Sequence, residues 1–168
     1  MTSNQHSADT QNAKRAVADL QRQWILEGWE KQPGERWTFD GKVGHFYDWD
    51  NGATSLHDTF DPQLRVARSP KEWAEAFEPS FAGMNSALHA VTDEPDVLVS
   101  GDFASATFEF CVRLETGDSK VTGAVCRTSH VWGFKNGKWA IIREHTSCRV
   151  ASVEKVQGLL GKFEPQKL

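Results

Sequence analysis

Four side chains in this 168-residue sequence carry types suited to acid–base or anion chemistry: Asp58, His130, Arg143 and His145. Aspartate and histidine can move protons to and from a bound molecule near neutral pH once burial or a neighbour tunes them. Arginine grips carboxylates and other oxyanions through its planar fork of donors. No HxH or HExxH spacing accompanies the histidines, so no metal and no other cofactor is expected. The Asp-Trp-Asp run at 48–50 reads as turn chemistry.

Whether these groups can act together depends on the strands that carry them. Asn136-Gly137 is a strong type I′ hairpin signal, because both turn positions need positive φ. An uninterrupted register from that turn pairs Phe134 with Trp139, Trp132 with Ile141, His130 with Arg143, Thr128 with His145 and Cys126 with Ser147. All of these then point to one side. Glu144 falls on the other side with Ser129, and Cys126 and Cys148 point to opposite faces, which argues against a disulfide between them. The simplest alignment of the preceding hairpin sets Phe110 near Cys126, Phe108 near Thr128 and Glu109 opposite Arg127. Phe108, Phe110, Val112, Leu114, Trp132, Trp139 and Ile141 thus make an apolar face suited to a helix cover, and the same face is expected to hold His130, Arg143 and His145. Ionisable groups there must be answered by a partner or a cavity. In TSLHDTF, alternation places Leu56, Asp58 and Phe60 on one face, so an inward Leu56 brings Asp58 inside, either as an ion-pair partner of Arg143 or as a proton acceptor. Pairing with Arg143 would lower its pKa and burial would raise it, so the two roles compete.

The helices follow from period and caps. Val17, Leu20 and Trp24 are helically spaced from Asn12 onward, with a stop at Gly28 and Pro33-Gly34; residues 1–11 are polar and expected to be a flexible N-terminus. A short helix is expected near 37–47 and a strand near 53–60. Ser69-Pro70-Lys71-Glu72 is a capping box with Pro at the first helical position, opening a helix over 70–84 whose stripe is Trp73, Phe77, Phe81 and Met84. Strands follow at 87–92 and 97–99, 103–115, 121–134 and 138–150. Helices followed by a meander imply an α+β domain, a curved antiparallel sheet with the N-terminal helices on its concave face. One domain is expected over 12–150, and 151–168 reads as a tail or short helix.

Seven tryptophans and ten phenylalanines give ample core material, and a net charge of −4 offers no basic patch for nucleic acid or an anionic membrane. No stretch approaches the ~18 apolar residues of a spanning helix. Three widely spaced cysteines suit neither a disulfide framework nor a zinc knuckle. With the polar N-terminus, this makes the cytoplasm the expected location.

The order of elements and the closing "RTSHVWGFKNGKWAIIREHTS" resemble the nuclear transport factor 2-like superfamily, the α+β cone shared with ketosteroid isomerase and SnoaL-like polyketide cyclases. Val131-Trp132, Gly137-Lys138-Trp139, His145 and Ser147 resemble the last hairpin of the calcium/calmodulin-dependent protein kinase II association domain, in which the position of His130 is a carboxylate-binding arginine. The resemblance implies a homodimer through the outer sheet face. It also leaves several activities open on one fold. The first is a pocket for a small organic molecule, with a carboxylate as one candidate ligand, walled by Tyr47, Trp49, Trp73, Phe77, Phe108, Thr128, Trp132 and Arg143. The second is a cofactor-independent isomerase, cyclase, dehydratase or hydrolase with Asp58, His145 and His130 as the proton-transfer candidates. A non-catalytic assembly domain is the third.

Overall fold

The computed structural model describes residues 2–163. Helix α1 spans Thr2–Gln23 and passes into a π-helical turn, Trp24–Gly28, so the helix begins ten residues earlier than Asn12. Val17, Gln21 and Trp24 are its buried face, one stripe at i, i+4, i+7 that includes a polar residue. A short helix α2, Phe39–Lys42, and a 3₁₀ turn, Gly44–Phe46, lead to strand β1, Ser55–Asp58. Helix α3, Pro70–Gly83, has the expected cap: the Ser69 hydroxyl accepts from the Glu72 amide at 3.2 Å, and Glu72 reaches back to the Arg68 amide at 2.7 Å.

Four long strands follow, β2 Met84–Ser100, β3 Phe103–Thr116, β4 Val121–Lys135 and β5 Lys138–Ala151. They form a five-stranded sheet in the order β1-β5-β4-β3-β2. β2 to β5 are antiparallel, but β1 joins β5 in parallel. The sheet is curved and unclosed, and α1 and α3 pack into its hollow, the α+β cone expected. The core is dominated by aromatic residues: Trp24, Trp29, Trp37, Phe39, Phe77, Phe81, Phe108 and Phe110 interlock in stacked and edge-on pairs.

Helix α4, Val153–Phe163, lies on the outer face, where Val156 and Leu160 bury against Ala90, Cys111 and Val125. Gly123 allows this approach, since a Cβ there would meet Val156 Cγ2 and the Ala151 carbonyl at 2.9 Å. Of the 151–168 segment, Ala151 ends β5 and Val153–Phe163 is helix, while residues 164–168 lie outside the described residues.

The register of β3 on β4 is the expected one, with Phe110 opposite Cys126, Phe108 opposite Thr128 and Glu109 opposite Arg127. The turn at Asn136-Gly137 is also as expected, with φ of 54° and 79°, and Trp132 pairs with Ile141. One residue later the expectation fails. Val131 pairs with Arg143, so Ile142 is an extra residue on β5. This β-bulge reverses the parity of everything beyond it. Glu144 and Thr146 turn inward and are buried, whereas Arg143 and His145 turn outward and are exposed. The same shift brings Cys126 directly opposite Cys148, Cα to Cα 4.1 Å, and the two form a disulfide. The expectation of opposed cysteines is corrected, and the cysteine count loses its bearing on cellular compartment.

Candidate active site

Beneath α3, in the hollow of the sheet, is a cavity of about 160 Å³. Ile25, Trp29, Phe77, Phe81, Phe110, Val112 and Leu114 make its wall apolar, and its ionisable residues are Asp58 and His89. These two come from strands at opposite ends of the sheet, β1 and β2. Only the curvature of the sheet brings both edges round one cavity.

Asp58 is set by alternation in β1, where Leu56 is fully buried and Asp58 shares its face. One carboxylate oxygen accepts from the Phe60 amide at 2.7 Å, fixing the side chain at the end of the strand. Among the described residues no cation pairs with it, and Arg143 lies on the other face. Burial pushes its carboxyl from 3.8 up to about 8; the Phe60 amide opposes the rise, while the charges of Glu144 and Asp61 add to it. Asp58 therefore carries a proton at neutral pH.

His89 is held by Glu30. One Glu30 oxygen accepts from the His89 backbone amide at 2.9 Å and lies 3.2 Å from Nδ1. A carboxylate at Nδ1 favours the Nδ1–H tautomer and leaves Nε2 as the basic atom. Glu30 is positioned in turn by its neighbour. Lys31 exchanges two backbone hydrogen bonds of 2.9 Å with Ala87, docking the chain onto β2 two residues before His89. The buried Lys31 ammonium donates to the carbonyls of Phe81, Ala82 and Met84 at the end of α3, at 3.1, 3.0 and 2.6 Å, as a helix C-terminus favours.

Of the residues expected at a site, Asp58 and Phe77 line this cavity. A second group is buried away from it as a polar network. Tyr47 donates to Glu144 at 2.7 Å and accepts from the Trp24 indole at 3.1 Å. His130 Nε2 lies 3.3 Å from the same Glu144 oxygen, and its Nδ1 is 2.9 Å from Gln21 Oε1, which also accepts from Trp132 at 3.0 Å. Burial, with Glu144 beside it, holds the Tyr47 hydroxyl well above its ordinary pKa. Thr128 is buried with Thr146, their hydroxyls 2.7 Å apart, and Trp73 and Phe108 are core. Trp49 is 47% exposed, donates to the Gly44 carbonyl at 2.8 Å and lies outside this cavity. His145 sits outside with His57, ring centroids 5.1 Å apart. The inward placement expected of Arg143 and His145 is thus corrected, and Glu144, expected on the opposite face, is the residue that points inward.

Glu30 and His89 escaped the sequence reading. Alternation in β2 could have found His89, since Ala87, His89 and Val91 pair with Leu114, Val112 and Phe110 and so share the inner face. Nothing local marks Glu30, whose partner is 59 residues away. Among the described residues, no three His, Cys, Asp or Glu side chains are grouped to hold a metal ion, and no helix is long and apolar enough to cross a membrane.

A family model for the SnoaL-like domain matches residues 56–151. No curated protein matches the chain. Among solved structures, a nuclear transport factor 2-like superfamily protein from Salmonella enterica is 19% identical, covers 86% of this chain and 95% of its own, and superposes with a TM-score of 0.66. A hexachlorocyclohexane dehydrochlorinase from Novosphingobium barchaimii is 12% identical over 86% and 92% of the two chains, with a TM-score of 0.65. The association domain of the C. elegans kinase CaMKII is 14% identical over 84% and 96%, with a TM-score of 0.54. At these identities the likeness is one of fold, and that fold holds enzymes and assembly domains alike.

Proposed function

This chain belongs to the SnoaL-like family, and on that premise we propose that it is a cofactor-independent proton-transfer enzyme, an isomerase or lyase, acting on a small and largely apolar molecule. The observation that carries this reading is the pairing of Asp58 and the Glu30-held His89 on the wall of an otherwise apolar cavity. The two groups can play complementary parts. His89 Nε2 can take a proton from carbon, and protonated Asp58 can give one to the oxygen or leaving group on which charge develops. Apolar walls keep water from levelling the difference.

Size narrows the ligand. A cavity of about 160 Å³ suits a single six-membered ring, as a dry cavity of ~150 Å³ suits benzene. Among the expected ligands, a carboxylate is disfavoured at this site, since neither an arginine nor a lysine is among its lining residues.

Solvent exchange tests the reading. Single-ring ketones and enones incubated with the protein in D₂O should acquire deuterium beside the carbonyl, read by NMR, and the rate should fall by ~10²-fold or more in His89→Gln and in Asp58→Asn. Undiminished exchange in both variants would sink the assignment.

A further inference from the structure

We propose that the outer ledge of β1 and β5 is a second ligand site, one that holds a tetrahedral oxyanion of the phosphate type. The bulge at Ile142 turns Arg143 and His145 outward, and in the parallel register Arg143 is level with Ser55 and His145 with His57. These four, with Ser129, line a depression of about 380 Å³. The two imidazoles meet edge to face, 5.1 Å between centroids. Arg68 reaches over the rim, its Nη1 3.5 Å from Ser55 Oγ.

Charge decides what such a ledge would hold. Arg143 has neither an ion pair nor a hydrogen bond among the described residues, and Arg68 has no carboxylate partner for its guanidinium. The one acid in the wall, Glu144, has its side chain 1% exposed and committed to Tyr47 on the inner face. Two guanidinium groups, two imidazoles and serine hydroxyls therefore gather, on a chain whose net charge is −4, with no carboxylate ion-paired to either guanidinium among the described residues, Glu72 being held at the Arg68 backbone amide, 2.7 Å away. A divalent cation would need a third ligand and would be repelled by the arginines, whereas an oxyanion gains charge-assisted donors from each side. The ledge lies on the opposite face of the sheet from the Asp58–His89 cavity, so the two readings stand or fall separately.

The test is an NMR titration of the ¹⁵N-labelled full chain with inorganic phosphate, sodium chloride being exchanged to hold ionic strength constant. The expected result is a saturable shift of the His57 and His145 ring signals and of the Arg143 amide, weakened about tenfold in Arg143→Gln by loss of one charge-assisted contact, with acetate a poor competitor. Arg143 is exposed, so amide shifts elsewhere in the variant should match those of the wild type. A shift that does not saturate, affinity unchanged in Arg143→Gln, or acetate binding as well as phosphate would each overturn the proposal.

Discussion

Asp58 is the residue at which stability and chemistry pull apart. Its carboxyl is raised from 3.8 to about 8, so between those values the folded chain keeps a proton that the unfolded chain has lost. The folded state then binds more protons than the unfolded one, and stability falls as pH rises through that window and levels off above it. Asp58→Asn keeps an acceptor for the Phe60 amide and removes the titration. At pH 8 the variant should be more stable than the wild type by ~1 kcal/mol or more, a few degrees in Tm. Thermal unfolding at a series of pH values should show the gap closing toward pH 4; a constant gap would contradict the raised pKa. In the proposed reaction the acid form is the working form, so turnover should decline as pH climbs past about 8. Glu30 acts through His89. Glu30→Gln should lower kcat while leaving KM nearly unchanged, and steady-state kinetics on any substrate found by the exchange screen would show that split.

At the scale of elements, the extra residue in β5 decides which groups share a face. The β3–β4 register was legible because Phe108 and Phe110 alternate cleanly with Thr107 and Glu109, and the hairpin turn was legible because Asn136-Gly137 admits few alternatives. The bulge was not legible. Ala140, Ile141 and Ile142 form a continuous apolar run that satisfies either parity, and all three are buried, so local pattern offers no choice between them. Tertiary contacts make the choice: Glu144 turned inward meets Tyr47 and His130, which an inward Arg143 would repel or leave unanswered. Deleting Ile142 should leave Arg143 opposite Val131 and Glu144 inward, so the strand becomes regular at the cost of one buried Ile side chain, ~2–4 kcal/mol. Denaturant unfolding would measure that loss, and a cost well beyond it would count against Ile142 as a simple inserted residue. Capping is local by contrast. Ser69→Ala should cost ~1 kcal/mol by the same measurement.

The whole molecule assembles what no segment contains. Asp58, His89 and Glu30 lie on β1, on β2 and after the π-helical turn, and they meet only because the sheet curls until its two edges face one cavity beneath α3. Ile25, in the π-helical turn, is 2% exposed and lines that cavity. Ile25→Ala should cost ~2–4 kcal/mol by enlarging it, and a single-ring ligand such as cyclohexanone should restore part of the loss by binding the folded state alone. Thermal shifts of the variant with and without the ligand would show this; no recovery would argue against an accessible apolar cavity. The sequence by itself determined the class of fold, the capped helix α3, the β3–β4 register and the inward face of Asp58, because each rests on periodicity, caps or turns within a short span. Tertiary structure alone decided that Glu144 replaces Arg143 on the inside, that Cys126 meets Cys148, and that Glu30 and His89 join Asp58 about the cavity. Those outcomes depend on one inserted residue and on contacts between distant strands, for which a one-dimensional pattern holds no register.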